Sequence, residues 1–345
     1  MIEERDLDAA VAAGILDAAT RERLVVFSRE LRQGTAGPDE EQFRLLTGFN
    51  DIFVTIAIGL LLFAVASLAG RVLPALAPVA IAAVSWALAE YFTRQRRMAL
   101  PSIVLLLAFV GSVYATALAL LGGGQPSMDV GTGNLAIPVG GALAAAAAYA
   151  HWRRFMVPIT VAAGAAAVSL VVIIVFGAGF AAATGQGRDA LLPMVALCGV
   201  AIFALAMWFD SRDLARVTRR TDVAFWLHLL AAPMIIHPVF ASTGLLGGTP
   251  GPGAAIIVVL VYLVLTVLAL AIDRRALLVS ALGYVIYAIQ SLIGSGGDIS
   301  AGFGATALII GLFLVLLSAA WRPVRATVLG LLPAGVRGRL PHAAV

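Results

Sequence analysis

Lysine is absent from this sequence and charge of either sign is scarce: only 12% of the 345 residues are charged, against about a quarter in soluble domains. With 61% of residues hydrophobic and a mean hydropathy of +1.00, a water-soluble fold is excluded, because no core of this size hides that much apolar surface. A lone cysteine, Cys198, excludes an intrachain disulfide. Short alternating segments are lacking too, which excludes a β-barrel. The opening Met1-Ile2-Glu3-Glu4-Arg5-Asp6 has neither the basic nor the apolar region of a signal peptide, so the first apolar helix is expected to act as its own insertion signal. No HExxH, GxSxG, Walker or CxxC motif occurs, and an enzyme is not expected. Gly131-Thr132-Gly133-Asn134 imitates a dinucleotide turn, but no strand precedes it, and neither a cofactor nor a metal is expected.

What is present is a series of ten apolar runs, at 50–70, 72–92, 100–121, 135–151, 156–180, 190–209, 222–241, 254–272, 276–294 and 302–320. Each approaches the roughly 20 residues a helix needs to cross about 30 Å of hydrocarbon. In lipid every peptide group must find an internal partner, so such runs become helices. All 23 basic residues are Arg, and they sit in short clusters between the runs. If the N-terminus is cytoplasmic, 21 of the 23 fall on the inner side and only Arg71 and Arg188 fall outside, which supports both the count of ten and the orientation. The basic pI is therefore a signature of topology, and no nucleic-acid partner is expected. The expected fold is an all-α polytopic transmembrane bundle with both ends inside, and the arginine-rich, alanine-rich composition suggests a bacterial inner membrane.

Three parts follow from composition. Residues 1–48 hold ten of the nineteen acids and read as a cytoplasmic helical hairpin and linker, with Gly14 as a C-terminal cap and Asp17 as an N-cap. At this size the hairpin is expected to lean on the membrane surface, on the bundle, on another copy or on a cytoplasmic partner. Residues 49–321 form the bundle. Residues 322–345 read as an interfacial segment, with Trp321 at headgroup depth and the following arginines reaching phosphates. At the inner turns Arg96-Arg97, Arg153-Arg154 and Arg274-Arg275 each stand three residues before Pro or Val, a pattern that fits either a hairpin repeat or positive-inside selection alone.

The seventh run carries the densest polar content: Asp222, Trp226, His228, Pro233 and His237. Ionisable groups at membrane depth are costly and face protein or water, and Pro233 frees a carbonyl where the helix is expected to kink or break. Nine residues at about 100° each turn His228 and His237 to opposite faces, which rules out a shared metal. Three readings stay open: each histidine hydrogen-bonds a neighbouring helix, they serve a substrate or a proton, or, least favoured because the nearest second histidine is His151 at an inner end, His228 takes part in haem or quinone electron transfer. Rise per residue puts His237, Tyr114 and Gln290 in the outer part of their spans and Tyr284 near the middle, where they could line a cavity. Glu90 precedes Arg94 and Arg97 by one and two turns, which suits a snorkelling ion pair. Asp51 and Asp222 open inside-to-outside helices and suit capping, with proton coupling as the alternative.

Gly14-Ile15-Leu16, Gly48-Phe49-Asn50-Asp51-Ile52-Phe53, Phe225-Trp226-Leu227-His228-Leu229-Leu230-Ala231-Ala232-Pro233 and Asp273-Arg274-Arg275-Ala276-Leu277-Leu278-Val279-Ser280 together resemble a group of uncharacterised bacterial polytopic membrane proteins. That resemblance implies a cytoplasmic hairpin followed by eight to ten spans, and no activity. The function expected from the sequence is binding or transport of a small molecule or lipid through a cavity near the seventh span. The alternative is an accessory or sensory protein whose hairpin binds a partner or drives oligomerisation.

Overall fold

The computed structural model describes residues 4–35, 49–122, 135–185, 191–214, 216, 218–242, 252–275, 277–279, 282–283, 285–286, 299–337 and 340, and among these every regular element is helical. The chain divides into two units, Met1–Arg44 with Ala344–Val345, and Leu45–Ala343.

Among its described residues the first unit holds two helices. Helix α1 (Glu4–Ala12) ends at Gly14, whose φ of +70° is left-handed backbone that a residue without Cβ adopts freely. Helix α2 (Ala18–Thr35) opens on Asp17, whose Oδ2 accepts from the Thr20 amide at 3.0 Å. Hydrogen bonding from the Thr20 side chain and amide holds the Asp17 carboxyl below its ordinary range. An Arg21–Asp8 ion pair at 2.8 Å ties the helices together.

The second unit runs α3 (Phe49–Val72), α4 (Leu76–Ala89, continued as a π-helical turn Glu90–Gln95), α5 (Ala99–Leu121), α6 (Ala136–Phe155), α7 (Ile159–Thr184), α8 (Leu191–Asp210), α9 (Arg219–Ser242), α10 (Pro252–Ile272), α11 (Ile299–Ala319), α12 (Trp321–Leu331) and α13 (Ala334–Arg337). Nine of the ten apolar runs coincide with α3–α11, and the described residues of the remaining run, 276–294, are helical as far as 286. Among the described residues six helices are long and apolar enough to cross a membrane, and a seventh crossing is available if α11 and α12, bent 76° apart, form one broken span.

Neighbours in sequence pack side by side from α3 to α9, as short connections between long helices require. The most extensive pairing joins α8 to α9. Gly199 makes it possible: a Cβ there would lie 2.9 Å from Met234 Cβ and 3.0 Å from the Ile235 amide nitrogen. With Ala224, Leu227, Ala231 and Ile236 all buried, α9 is the most enclosed of the six, whereas α3 turns Phe53, Leu60, Phe63 and Leu68 outward, as lipid-facing residues would be.

Three local expectations change. Helix α9 continues unbroken through Pro233 and Pro238, because neighbouring helices packed on both sides hold it. It also starts earlier than expected, so Thr218 takes the cap, its Oγ1 accepting from the Arg220 amide at 3.2 Å, and Asp222 stands within the first turn instead of at the cap. The arginine pairs do not mark one structural position. What recurs is a left-handed residue without the help of glycine, at Arg97, Met156, Arg216 and Asp273, spaced by 59, 60 and 57 residues. Arg153 and Arg154 precede that residue, Arg97 is that residue, and Arg274 and Arg275 follow it.

Candidate functional site

The end of α8, the start of α9 and the end of α10 gather charge that the surrounding sequence lacks. Asp210 is the last residue of α8 and is 4% exposed. Its carboxylate takes three contacts: His228 Nε2 at 3.0 Å, Arg274 Nε at 3.2 Å, and the Arg274 Nη2 donor on the other oxygen. Arg274 Nη2 also donates to the Thr221 carbonyl at 3.2 Å. Both His228 and Arg274 are fully enclosed, so this carboxylate is the counter-charge that makes the buried guanidinium tolerable. His228 Nδ1 has no hydrogen-bond partner among the described residues, and Phe203 stands edge-on to the ring at 5.2 Å. Just before α9, buried Asp213 accepts from the Thr218 amide at 2.9 Å and from the Thr218 and Thr221 hydroxyls, fixing the approach to this cluster.

A second cluster adjoins the first through the Asp273–Arg274 peptide. Asp273 accepts from Arg216 Nη1 at 2.9 Å and from Trp321 Nε1 at 2.8 Å. Arg216 additionally grips the Ile272 and Asp273 carbonyls, and Arg325 Nε donates to the Leu270 carbonyl at 3.1 Å. Here the reading of Trp321 and Arg325 as interfacial anchors fails: both are 2% exposed. The unpaired carbonyls at the end of α10 attract the α12 donors inward, since water does not reach them there. Trp321, Arg325 and Leu329 follow at i, i+4 and i+8, so one face of α12 seals onto the bundle.

Beside this seal lies a half-open groove of about 130 Å³. It is lined by Leu278 and Leu282, by Leu314 and Leu317 of α11, and by Trp321. Ser318, Arg275 and Tyr262 break the apolar lining. Arg275, exposed at the rim, stacks its guanidinium 4.8 Å from the Trp321 ring centre and has no carboxylate partner among the described residues. Tyr262 is 5% exposed, and its hydroxyl is buried with no hydrogen-bond partner among the described residues.

The candidates from the sequence scatter. His228 belongs to the charge cluster, while His237, nine residues on, is exposed on the other face. Pro233 is half-buried mid-helix, and Trp226 packs edge-on to Phe225 and against the α6–α7 core. Tyr284 and Gln290 lie outside the described residues. Asp51 sits buried in the first turn of α3, and Asp222 is half-buried in the electrostatic reach of Arg274 and Arg219. Glu90 does pair with Arg94 at 3.3 Å, but its closer partner is Arg154 of α6, at 2.7 Å, which ties α4 to α6.

Asp210, Arg216, Asp273 and Tyr262 were not expected as site residues from the sequence, which read Arg274 and Arg275 as an inner-turn pair and Trp321 and Arg325 as interfacial anchors. Asp210 and Asp273 did carry a signal, as the acids that close two apolar runs immediately before arginine-bearing turns. Compared with protein-family models, curated proteins and solved structures, the chain shows no match.

Proposed function

We propose that this chain is a multi-pass protein of a bacterial inner membrane, crossing ten times with both ends in the cytoplasm, and that it binds or moves a small amphiphilic molecule or lipid. The observation that carries the ligand reading is the groove between α10 and α11, because it joins an apolar channel to a cation and to a buried, unsatisfied hydroxyl. This moves the site from the neighbourhood of Pro233 to the other side of the charge clusters. The ten-span count is supported by the coincidence of apolar runs with helices, and the orientation by the arginines at the α4–α5, α6–α7, α8–α9 and α10 turns. The resemblance to uncharacterised bacterial polytopic membrane proteins agrees with this plan and adds no activity.

Native mass spectrometry of the full chain extracted in mild detergent tests the reading. A retained adduct of small-molecule or lipid mass is expected. Leu314→Trp, which fills the groove from α11, is expected to abolish it. No adduct, or one that Leu314→Trp retains at full occupancy, rejects the groove as the binding site.

A further inference from the structure

We propose that the occupant of the groove is an anionic phospholipid of the inner leaflet, its phosphate held by Arg275 and its glycerol ester by Tyr262. This rests on the reading of the groove as a ligand site and names the ligand's class. Three observations carry it. Arg275 is an exposed cation at the inner rim without a carboxylate partner among the described residues, so the charge complement there is an anion from outside the fold. Stacking on Trp321 fixes the guanidinium plane at the groove mouth, where its fork presents two donors to phosphate oxygens. Basic pockets between helices on the cytoplasmic side are suited to acidic headgroups for this reason.

The second observation is Tyr262. A buried hydroxyl left unpaired is destabilising, and Tyr262 lines the groove while also belonging to the buried core beside it. Tyr262 packs against Phe313, whose ring centre lies 6.2 Å away, about two turns along α11 from Trp321. A phospholipid entering headgroup-first carries its ester carbonyls below the phosphate, so a carbonyl acceptor follows the anion toward that depth. The third observation is the wall. Leu278, Leu282, Leu314 and Leu317 offer only apolar contact, and Val279 at the rim is 66% exposed, so the groove opens sideways to the acyl phase. Its volume holds a segment of one chain and leaves the rest in the bilayer.

The test uses the full chain in mild detergent with equimolar phosphatidylglycerol and phosphatidylcholine of identical chains, read by native mass spectrometry. Preference for phosphatidylglycerol of about fivefold is expected, the contribution of one basic residue near a headgroup. Arg275→Gln should equalise the two lipids without changing the melting temperature, and Arg275→Lys should keep the preference. Tyr262→Phe should weaken both lipids alike. Excess inorganic phosphate should leave the phospholipid bound. Equal retention of the two lipids by the wild type, or a preference unchanged in Arg275→Gln, overturns the phospholipid assignment, as does full displacement by phosphate. If Leu314→Trp retains both lipids as well as the wild type, the groove itself is not the site and the underlying reading falls with it.

Discussion

Asp210 is the residue on which most of the buried charge depends. It faces a guanidinium and an imidazole that have no access to water, and a buried ion pair broken on one side leaves the other charge stranded. Asp210→Asn keeps the shape and removes the charge, so it should lower unfolding stability in detergent by about 3–5 kcal/mol. Pairing it with Arg274→Gln should recover part of that loss, because no stranded cation remains. Thermal or denaturant unfolding of the two variants checks both statements. Had the pair been decorative, the single and double variants would unfold alike. Sequence reading reached His228 through its rarity at membrane depth but missed its partner. Asp210 stood at the edge of an apolar run, where a carboxylate looks solvated, and only the fold of α8 onto α9 shows that it is not.

At the scale of elements, the α8–α9 pair shows how a helix contact is written in one small residue. An alanine at Gly199 would drive its methyl onto the Ile235 backbone nitrogen, which has no rotamer to yield. Gly199→Ala should therefore destabilise by about 1–3 kcal/mol through overpacking. Gly59→Ala on α3, where nothing lies within 4 Å, should be neutral or favourable by roughly 0.5–1 kcal/mol, as alanine is the better helix former. Melting temperatures of the two variants against the wild type separate packing from propensity. The helices themselves were legible because lipid imposes a length and a polarity on each run. Their partners were not, since Gly199 in an apolar run reads like any of its neighbours. The same limit hid the inward face of α12. Trp321-Arg322-Pro323 has the composition of a surface segment, and only the Leu270 carbonyl and the Asp273 carboxylate reveal where the donors go.

For the whole molecule, the arrangement of arginines and apolar runs predicts that both ends share one face of the membrane. Protease or label access to tags at each end, in sealed inside-out and right-side-out vesicles, should give matching results for the two tags. Opposite accessibility would mean an odd number of crossings and a wrong count. The groove was beyond sequence reading, because it is assembled from Tyr262, Arg275, Leu314 and Trp321, which come from four segments without a common motif.

The ion pairs also carry a timetable. Asp210 is made 64 residues before Arg274, Arg216 is made 57 before Asp273, and Asp273 waits another 48 for the indole of Trp321. During synthesis Asp210 and Arg216 leave the ribosome ahead of the opposite charges that neutralise them, so the C-terminal third must arrive before the earlier half can close. A chain cut off after α11 would leave the Asp273 carboxylate without the Trp321 indole and the Leu270 carbonyl without the Arg325 donor. Such a product gives membrane quality control an unsatisfied buried polar group to recognise.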